Sequence, residues 1–177
     1  MIRLQILRAT DTLTTKMNLS VTDPPTATAL KLYVVLTRAS EALHAHARAN
    51  IASHGLTEAE FAILDALYHK GRMLLGEVQK KILISSGGMT FVFDKLEKRG
   101  LVRRALCASD RRARYAELTD EGDALMKRIF PGHAEAIRRA MSGLGLADQR
   151  AAIELLKKLG VEAAALEPLP APEPVGN

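Results

Sequence analysis

The chain has 177 residues, enough for one medium-sized domain with a full core. Hydrophobic residues make up 47% and aromatics only 4%, a balance that leans helical, and no apolar run approaches the roughly 20 residues that a membrane-spanning helix needs. The single cysteine excludes an internal disulfide and fits a reducing, cytoplasmic setting, while the net charge of +5 suits a polyanion without choosing among DNA, RNA and a membrane surface.

Residues 1–28 show no helical period and end in DPPTAT, where two prolines mark a loop or a helix start. The opening MIRLQILRATDTLTTK is too short and too interrupted in its apolar run for a secretory signal. Two origins stay open for it: an extension ahead of a start at Met17, or an N-terminal arm. From Ala29 to Ile51 the chain reads as a long helix, apolar on nearly all sides between Leu30 and Leu36, as at a subunit interface. In GLTEAEFAILDALYHKG, Thr57 and Glu60 have the spacing of a capping box, and Leu56 with Phe61 that of a hydrophobic staple. Phe61, Leu64, Leu67 and Tyr68 form the inward stripe of this helix, and Gly71 ends it. A shorter helix over Leu75–Leu83 turns Leu75, Val78 and Ile82 inward.

The stretch from Ile84 to Leu118 carries the chemistry. Met89, Val92, Phe93 and Leu96 fall at i, i+3, i+4 and i+7, which predicts a helix over 85–99 stopped at Gly100. The opposite face holds Gly87, Phe91, Asp94 and Lys98, flanked by Thr90 and Lys95; an outward Phe beside a glycine pair suits a helix that presses into a groove. LVRRAL and ARYAEL then read as short strands joined by the polar tip CASDRR. From Lys95 to Arg114 there are eight Lys or Arg against two acids, Glu97 and Asp110. That local excess of +6 exceeds the charge of the whole chain, so the basic character is concentrated here, as expected of a surface for phosphate backbones. Two short helices joined by a tight polar turn and followed by a hairpin describe a winged helix-turn-helix.

Thr119 and Asp120 open another helix, TDEGDALMKRIFPGHAEAIRRAM, which Pro131–Gly132 should kink or interrupt. A last helix, QRAAIELLKKLG, has Asp148 as a candidate cap and is expected to bury Ile153, Leu156 and Leu159. Four prolines between Glu167 and Asn177 predict a disordered tail. The fold class is therefore mainly α with a minor β part, a winged helix-turn-helix with flanking dimerisation helices. The expected divisions are an arm at 1–28, a helical dimerisation region at 29–55 and 119–161, the DNA-binding part at 56–118 and a tail at 162–177. The flanking helices have no sheet to cover, so pairing with a second copy is the economical way to bury them.

The arrangement resembles the MarR (multiple antibiotic resistance regulator) family of bacterial transcription factors over roughly residues 30–160. Four stretches carry the likeness: GLTEAEFAILDALYHKG, ISSGGMTFVFDKLEKRGLV, SDRRARYAELTDEG and FPGHAEAIRRAMSGLGLADQRAAIELLKKLG. The resemblance implies a homodimer bound to a pseudo-palindromic double-stranded DNA operator, usually as a repressor. The second stretch looks especially like a branch that responds to catechols and quinones, which implies a small aromatic effector. In this reading Ser85, Ser86 and Thr90 bond to base edges or phosphates, Gly87 allows close approach, and Phe91 touches a thymine methyl. Lys95 and Lys98 meet phosphates, and Arg111, Arg112 and Arg114 belong to the wing, whose tip enters the minor groove. By resemblance, Asp110 pairs with Arg112 and stiffens that tip. The family places its ligand pocket between the dimerisation helices and the winged core, where Tyr33, His44, His46, Phe61 and Tyr68 are the candidates. Peroxide-sensing members carry a reactive cysteine near the start of the first helix; here Cys107 lies in the wing instead.

A zinc-responsive regulator is one alternative. His44 and His46, at i and i+2, do not share a helix face and make a poor chelating pair, His54, His69 and His133 could join only through tertiary contacts, and no CxxC or HxxxH occurs, so no metal or cofactor is expected. There is no GxSxG, P-loop, GxGxxG or helical HExxH, so no enzyme is expected either. A non-specific nucleic-acid binder stays open on charge alone.

Overall fold

The computed structural model describes residues 23–82, 86–106 and 114–167. The chain divides into two compact units, Met1–His44 and Ala45–Asn177. Its described elements, in order, are α1 (Pro24–Ser53), α2 (Glu58–Lys70), β1 (Met73–Leu74), α3 (Leu75–Ile82), α4 (Ser86–Lys98), β2 (Val102–Leu106), β3 (Arg114–Leu118), α5 (Asp120–Ala140) and α6 (Leu146–Ala165).

In the first unit α1 begins at Pro24, five residues ahead of the expected start at Ala29. The prolines begin the helix: a proline at its first position gives up an N–H that would have no partner anyway. Asp23 caps it, its carboxylate accepting from the Thr26 N–H at 3.3 Å and the Thr26 hydroxyl at 2.8 Å. Leu30, Leu32, Tyr33 and Val35 are exposed.

The second unit holds the core. Phe93 and Leu96 of α4 lie with Ile63, Leu64 and Leu67 of α2, Val78 of α3, Val102 of β2 and Met126 of α5, all fully buried. Each such side chain is worth about 1.5–3 kcal/mol relative to exposure. The α2 capping box is complete: the Thr57 hydroxyl accepts from the Glu60 N–H at 3.2 Å, and the Glu60 carboxylate accepts from the Thr57 N–H at 2.7 Å. Leu56 and Phe61 of the staple are both buried. α4 ends as expected at Gly100, with φ of 70°. The Gly100 N–H donates to the Glu97 carbonyl at 2.9 Å and the Leu101 N–H to the Leu96 carbonyl at 3.0 Å, closing the helix end.

The hairpin is present, and it belongs to a three-stranded antiparallel sheet in the order β1-β3-β2. Arg103 lies opposite Glu117, and Met73 opposite Ala116. β1 was not anticipated, because two residues are too few to show alternation. The wing meets α5 at a tight junction. The Thr119 N–H donates to the Leu101 carbonyl at 3.2 Å and the Thr119 hydroxyl to the Gly100 carbonyl at 2.6 Å, while the Gly122 N–H donates to the Thr119 hydroxyl at 3.1 Å. A Cβ on Gly122 would overlap the Leu101 carbonyl.

Four expectations need correction. α5 runs through Pro131 without interruption. Packing holds both sides of the proline, with buried Met126 and Ile129 before it and Phe130 and His133 in ring contacts on either side. α6 starts at Leu146 behind Gly145, so Asp148 sits inside the first turn rather than capping it. Ile153, Leu156 and Leu159 are exposed instead of buried, because no described element of the chain covers that face of α6. The helix also extends to Ala165, beyond the expected end near Gly160. Residues 168–177, most of the proline-rich tail, lie outside the described residues.

Gly122→Ala should lower stability by about 1–3 kcal/mol or more through overpacking against main chain, measured by urea unfolding. Gly87→Ala, whose added Cβ meets nothing within 4 Å, should cost no stability. Equal stability for the two variants would refute the steric account of the junction.

Candidate nucleic-acid interface

α4 owes its outward face to the same spacing that buries Met89, Phe93 and Leu96. Thr90, Lys98 and Phe91 are exposed, Phe91 at 72%. Such exposure of a large ring on a well-packed helix leaves apolar area available to a partner. Gly87 is exposed, and nothing among the described residues crowds the place of its missing side chain.

Ion pairs grip α4 on both flanks. On one, Glu60, only 1% exposed, takes the Lys95 ammonium at 3.0 Å and the Arg99 guanidinium at 3.3 Å on Oε1, while Oε2 serves the capping box. Burial works to raise the pKa of Glu60, but the bonds from Thr57 and the Lys95 ammonium outweigh it and hold the carboxyl below its ordinary value. Arg99 also donates to the Gly55 carbonyl at 3.4 Å, tying the end of α4 to the turn between α1 and α2. On the other flank, the Arg104 guanidinium reaches Asp94 at 2.5 Å and bonds Glu97, and it stacks 4.7 Å from the centroid of Phe93. The Arg104 N–H donates to Glu97 at 3.0 Å as well, so β2 and α4 are joined by main chain and side chain. In the sheet, Arg103 pairs with Glu117 at 2.7 Å and Arg72 lies 4.2 Å over the Tyr115 ring.

The count of eight basic residues is thereby revised. Lys95, Arg99, Arg103 and Arg104 are engaged by Glu60, Glu117, Asp94 and Glu97. Of these acids, only Glu97 lies inside the segment over which the charge was counted. Lys98 makes no ion pair among the described residues. Ser85, Asp110, Arg111, Arg112 and Cys107 lie outside the described residues. Ser86 is described only as the first residue of α4, and Arg114 as the exposed first residue of β3.

A cleft of about 520 Å³ lies between α2 and α5. Phe61 and His133 stack across it with centroids 4.4 Å apart, and His69 meets the Phe130 ring edge-on at 4.6 Å. Asp65 pairs with His69 at 3.3 Å, and the His133 Nδ1 is 3.3 Å from the Asn50 amide oxygen. Arg138 also lines the cleft, with its guanidinium bonded twice to Glu135 at 2.6 Å. Burial lowers the pKa of His133; the Asp65 carboxylate opposes this shift and His54 adds to it. Among the expected ligand residues, Phe61 lines the cleft and Tyr68 adjoins it, 5.8 Å from the Phe130 ring. Tyr33 and His44 belong to the first unit; His46 is exposed on α1 and is not a lining residue. Asp65 and Phe130 give no sequence signal for this site, and His69 and His133 join it only through the packing of α2 on α5. No group of three metal-ligating side chains occurs among the described residues, and no described helix is long and apolar enough to cross a membrane.

The MarR family model matches residues 56–113, from the start of the α2 cap to the wing. The transcriptional regulator MhqR of Bacillus subtilis is 41% identical over 138 residues, covering 78% of this chain and 95% of that one. The chain belongs to the MarR family. Among solved structures of this family, Sco3205 of Streptomyces coelicolor, in complex with DNA, is 28% identical with a TM-score of 0.67, covering 77% of this chain and 86% of that one. BpsR of Bordetella bronchiseptica, whose DNA binding is regulated by 6-hydroxynicotinic acid, is 28% identical with a TM-score of 0.65, covering 73% and 98%. As a MarR-family protein the chain is a DNA-binding transcriptional regulator and not an enzyme, with the winged helix-turn-helix fold expected from its sequence.

The His133 shift sets a pH dependence. Its folded pKa lies below the ordinary 6.5, so the unfolded chain takes up the proton first as pH falls. The contribution is full above about pH 6.5 and is lost as pH falls through the folded value. Melting temperature should therefore drop more between about pH 7 and pH 5 for this MarR-family chain than for its His133→Gln variant; parallel curves would exclude His133 as the source.

Proposed function

We propose that the protein is a homodimeric repressor that lays α4 of each copy into the major groove of a pseudo-palindromic operator and is released by a small hydroxylated aromatic effector. The exposed Phe91, centred on a helix whose rotation is held from both flanks, is the observation that carries this reading. Phe91 contacts a thymine methyl, and Ser85, Ser86 and Thr90 bond to base edges or phosphates. Gly87 supports the same reading, since the chain's own packing does not require a glycine there. Lys98 meets a phosphate, Lys95 being held by Glu60. Arg111, Arg112 and Arg114 form the wing's basic edge, with Arg111 or Arg112 in the minor groove and Asp110 bracing Arg112.

Residues 56–118 read DNA in this account, and residues 29–55 and 119–161 pair the copies. Ile153, Leu156 and Leu159 on α6 of the second unit, and separately Leu30, Leu32 and Val35 on α1 of the first, are exposed apolar side chains that a second copy would cover. The α2–α5 cleft is the effector site. Its rings suit an aromatic ligand, and its His, Asp and Arg groups suit hydroxyl and acid substituents. BpsR, regulated by 6-hydroxynicotinic acid, supports the choice of hydroxylated aromatics, and the likeness to the quinone-responsive branch extends it to catechols and quinones.

Phe91→Ala should weaken binding to a duplex selected by the wild-type protein by about 1 kcal/mol or more, without lowering the melting temperature; unchanged affinity would remove α4 from the groove. Lys98→Ala should weaken all duplexes alike and reduce the salt slope by about one. Leu156→Asp should convert a dimer to monomers in sedimentation and abolish tight duplex binding, and a wild-type chain sedimenting as a monomer would refute the pairing. Release of the selected duplex by members of a phenol, quinone and hydroxynicotinate panel, lost in Phe61→Ala, tests the cleft.

A further inference from the structure

Glu60 is the one charged side chain buried among the described residues, and its two oxygens serve different masters. Oε2 accepts from the Thr57 N–H and completes the cap of α2. An amide oxygen would serve there equally well, since the capping box takes Gln as readily as Glu. The negative charge is needed by Oε1, which faces Lys95 and Arg99 of the next segment. These two cations stand at i and i+4, on one side of α4 and its final turn. Lys95 is half-exposed, with its ammonium 3.0 Å from Glu60, so it sits near the surface and yet is turned inward to an acid. Lys98, three residues on, is exposed and has no such acid among the described residues.

We infer that Glu60 is a positioning residue for DNA reading: its charge sets how α4 is presented to the groove and withholds Lys95 from the phosphates. A bridge from α2 to Lys95 of α4 and to Arg99 just beyond it fixes both the axial rotation of that helix and the height of its C-terminal end. Thr90, Phe91 and Lys98 move as one body with that setting. Without the charge, α4 has a looser rotation and one more mobile ammonium beside the DNA. Sequence discrimination then falls while charge-driven binding to any duplex rises, because released counterions scale with the cations that reach phosphates.

The test measures binding against salt concentration for two probes: a short duplex of randomised sequence, and a duplex enriched from a randomised pool by the wild-type protein. In Glu60→Gln the cap is retained, the salt slope on the random duplex should steepen by about one, and the ratio of enriched to random affinity should fall several-fold. Lys95→Met should keep the wild-type slope while lowering the same ratio, and the double variant should return the slope of Glu60→Gln to the wild-type value. A loss of stability alone would move neither readout in this pattern. The inference is overturned if Lys95→Met reduces the slope by about one, which would make Lys95 a phosphate contact, or if Glu60→Gln leaves slope and ratio unchanged. Should Glu60→Gln fail to fold, Lys95→Met alone decides. The inference rests on α4 being the groove helix, and Lys98→Ala checks that separately. An unchanged slope there sinks the placement of α4, whereas a reduced slope in both lysine variants sinks only the role given to Glu60.

Discussion

A carboxylate withdrawn from water must be matched by hydrogen bonds and positive charge, or it loses its proton balance and destabilises what surrounds it. At Glu60 that match comes from three parts of the chain at once. The first turn of α2 supplies an N–H and the favourable end of a helix dipole, α4 supplies Lys95, and the residue after α4 supplies Arg99. Only the carboxylate is buried; Lys95 and Arg99 are partly exposed, so water screens their side of the set. The two helices of the motif are thus held by more than their apolar contact. Phe93, Leu96, Ile63 and Val78 bring the helices together by apolar contact, and the pairs from buried Glu60 to Lys95 and Arg99 add directional contacts between them. Arg104 performs the matching task on the far side of α4, where its stacking on Phe93 and its bonds to Asp94 and Glu97 bind the wing strand to the same helix.

The pairs also change what the basic stretch means. A run of eight cations reads as a surface for polyanions, yet four of them are turned onto acids of the protein itself. Their work is architectural, and the charge left for a partner is smaller and more localised than the sequence suggests. Unpaired surface charge attracts every duplex alike, so cations paired within a protein add less to sequence-blind binding.

Local rules were legible in the sequence, and tertiary consequences were not. Thr57 and Glu60 announced their cap by spacing, Gly100 its stop, and the stripe from Met89 to Leu96 its buried face, since each depends on residues within one or two turns. β1 escaped because two residues carry no period. Pro131 does not interrupt α5, because its missing N–H is a local loss while the packing on both sides of it is tertiary. Ile153, Leu156 and Leu159 have the spacing of a buried stripe, and spacing alone cannot say whether the chain's own elements cover it. The acids that neutralise the basic stretch were missed for a related reason: Glu60 lies 35 positions from Lys95 in sequence and 3.0 Å from it in space. The α2–α5 cleft has the same character, with Phe61 and His133 joined only by the fold.

The junction after the wing carries a practical consequence. Thr119 and Gly122 are fitted to the main chain of Gly100 and Leu101, twenty residues away, with no room for even a methyl group. The hairpin is therefore a closed loop whose two ends are clasped at the foot of α5, like a clip. A reading head transplanted from another regulator will seat only if both halves of the clasp travel with it. A graft cut between β3 and Gly122 would pair a foreign Leu101 carbonyl with a host helix shaped for a different one, so the natural module boundary lies one turn inside α5 rather than at the end of the wing.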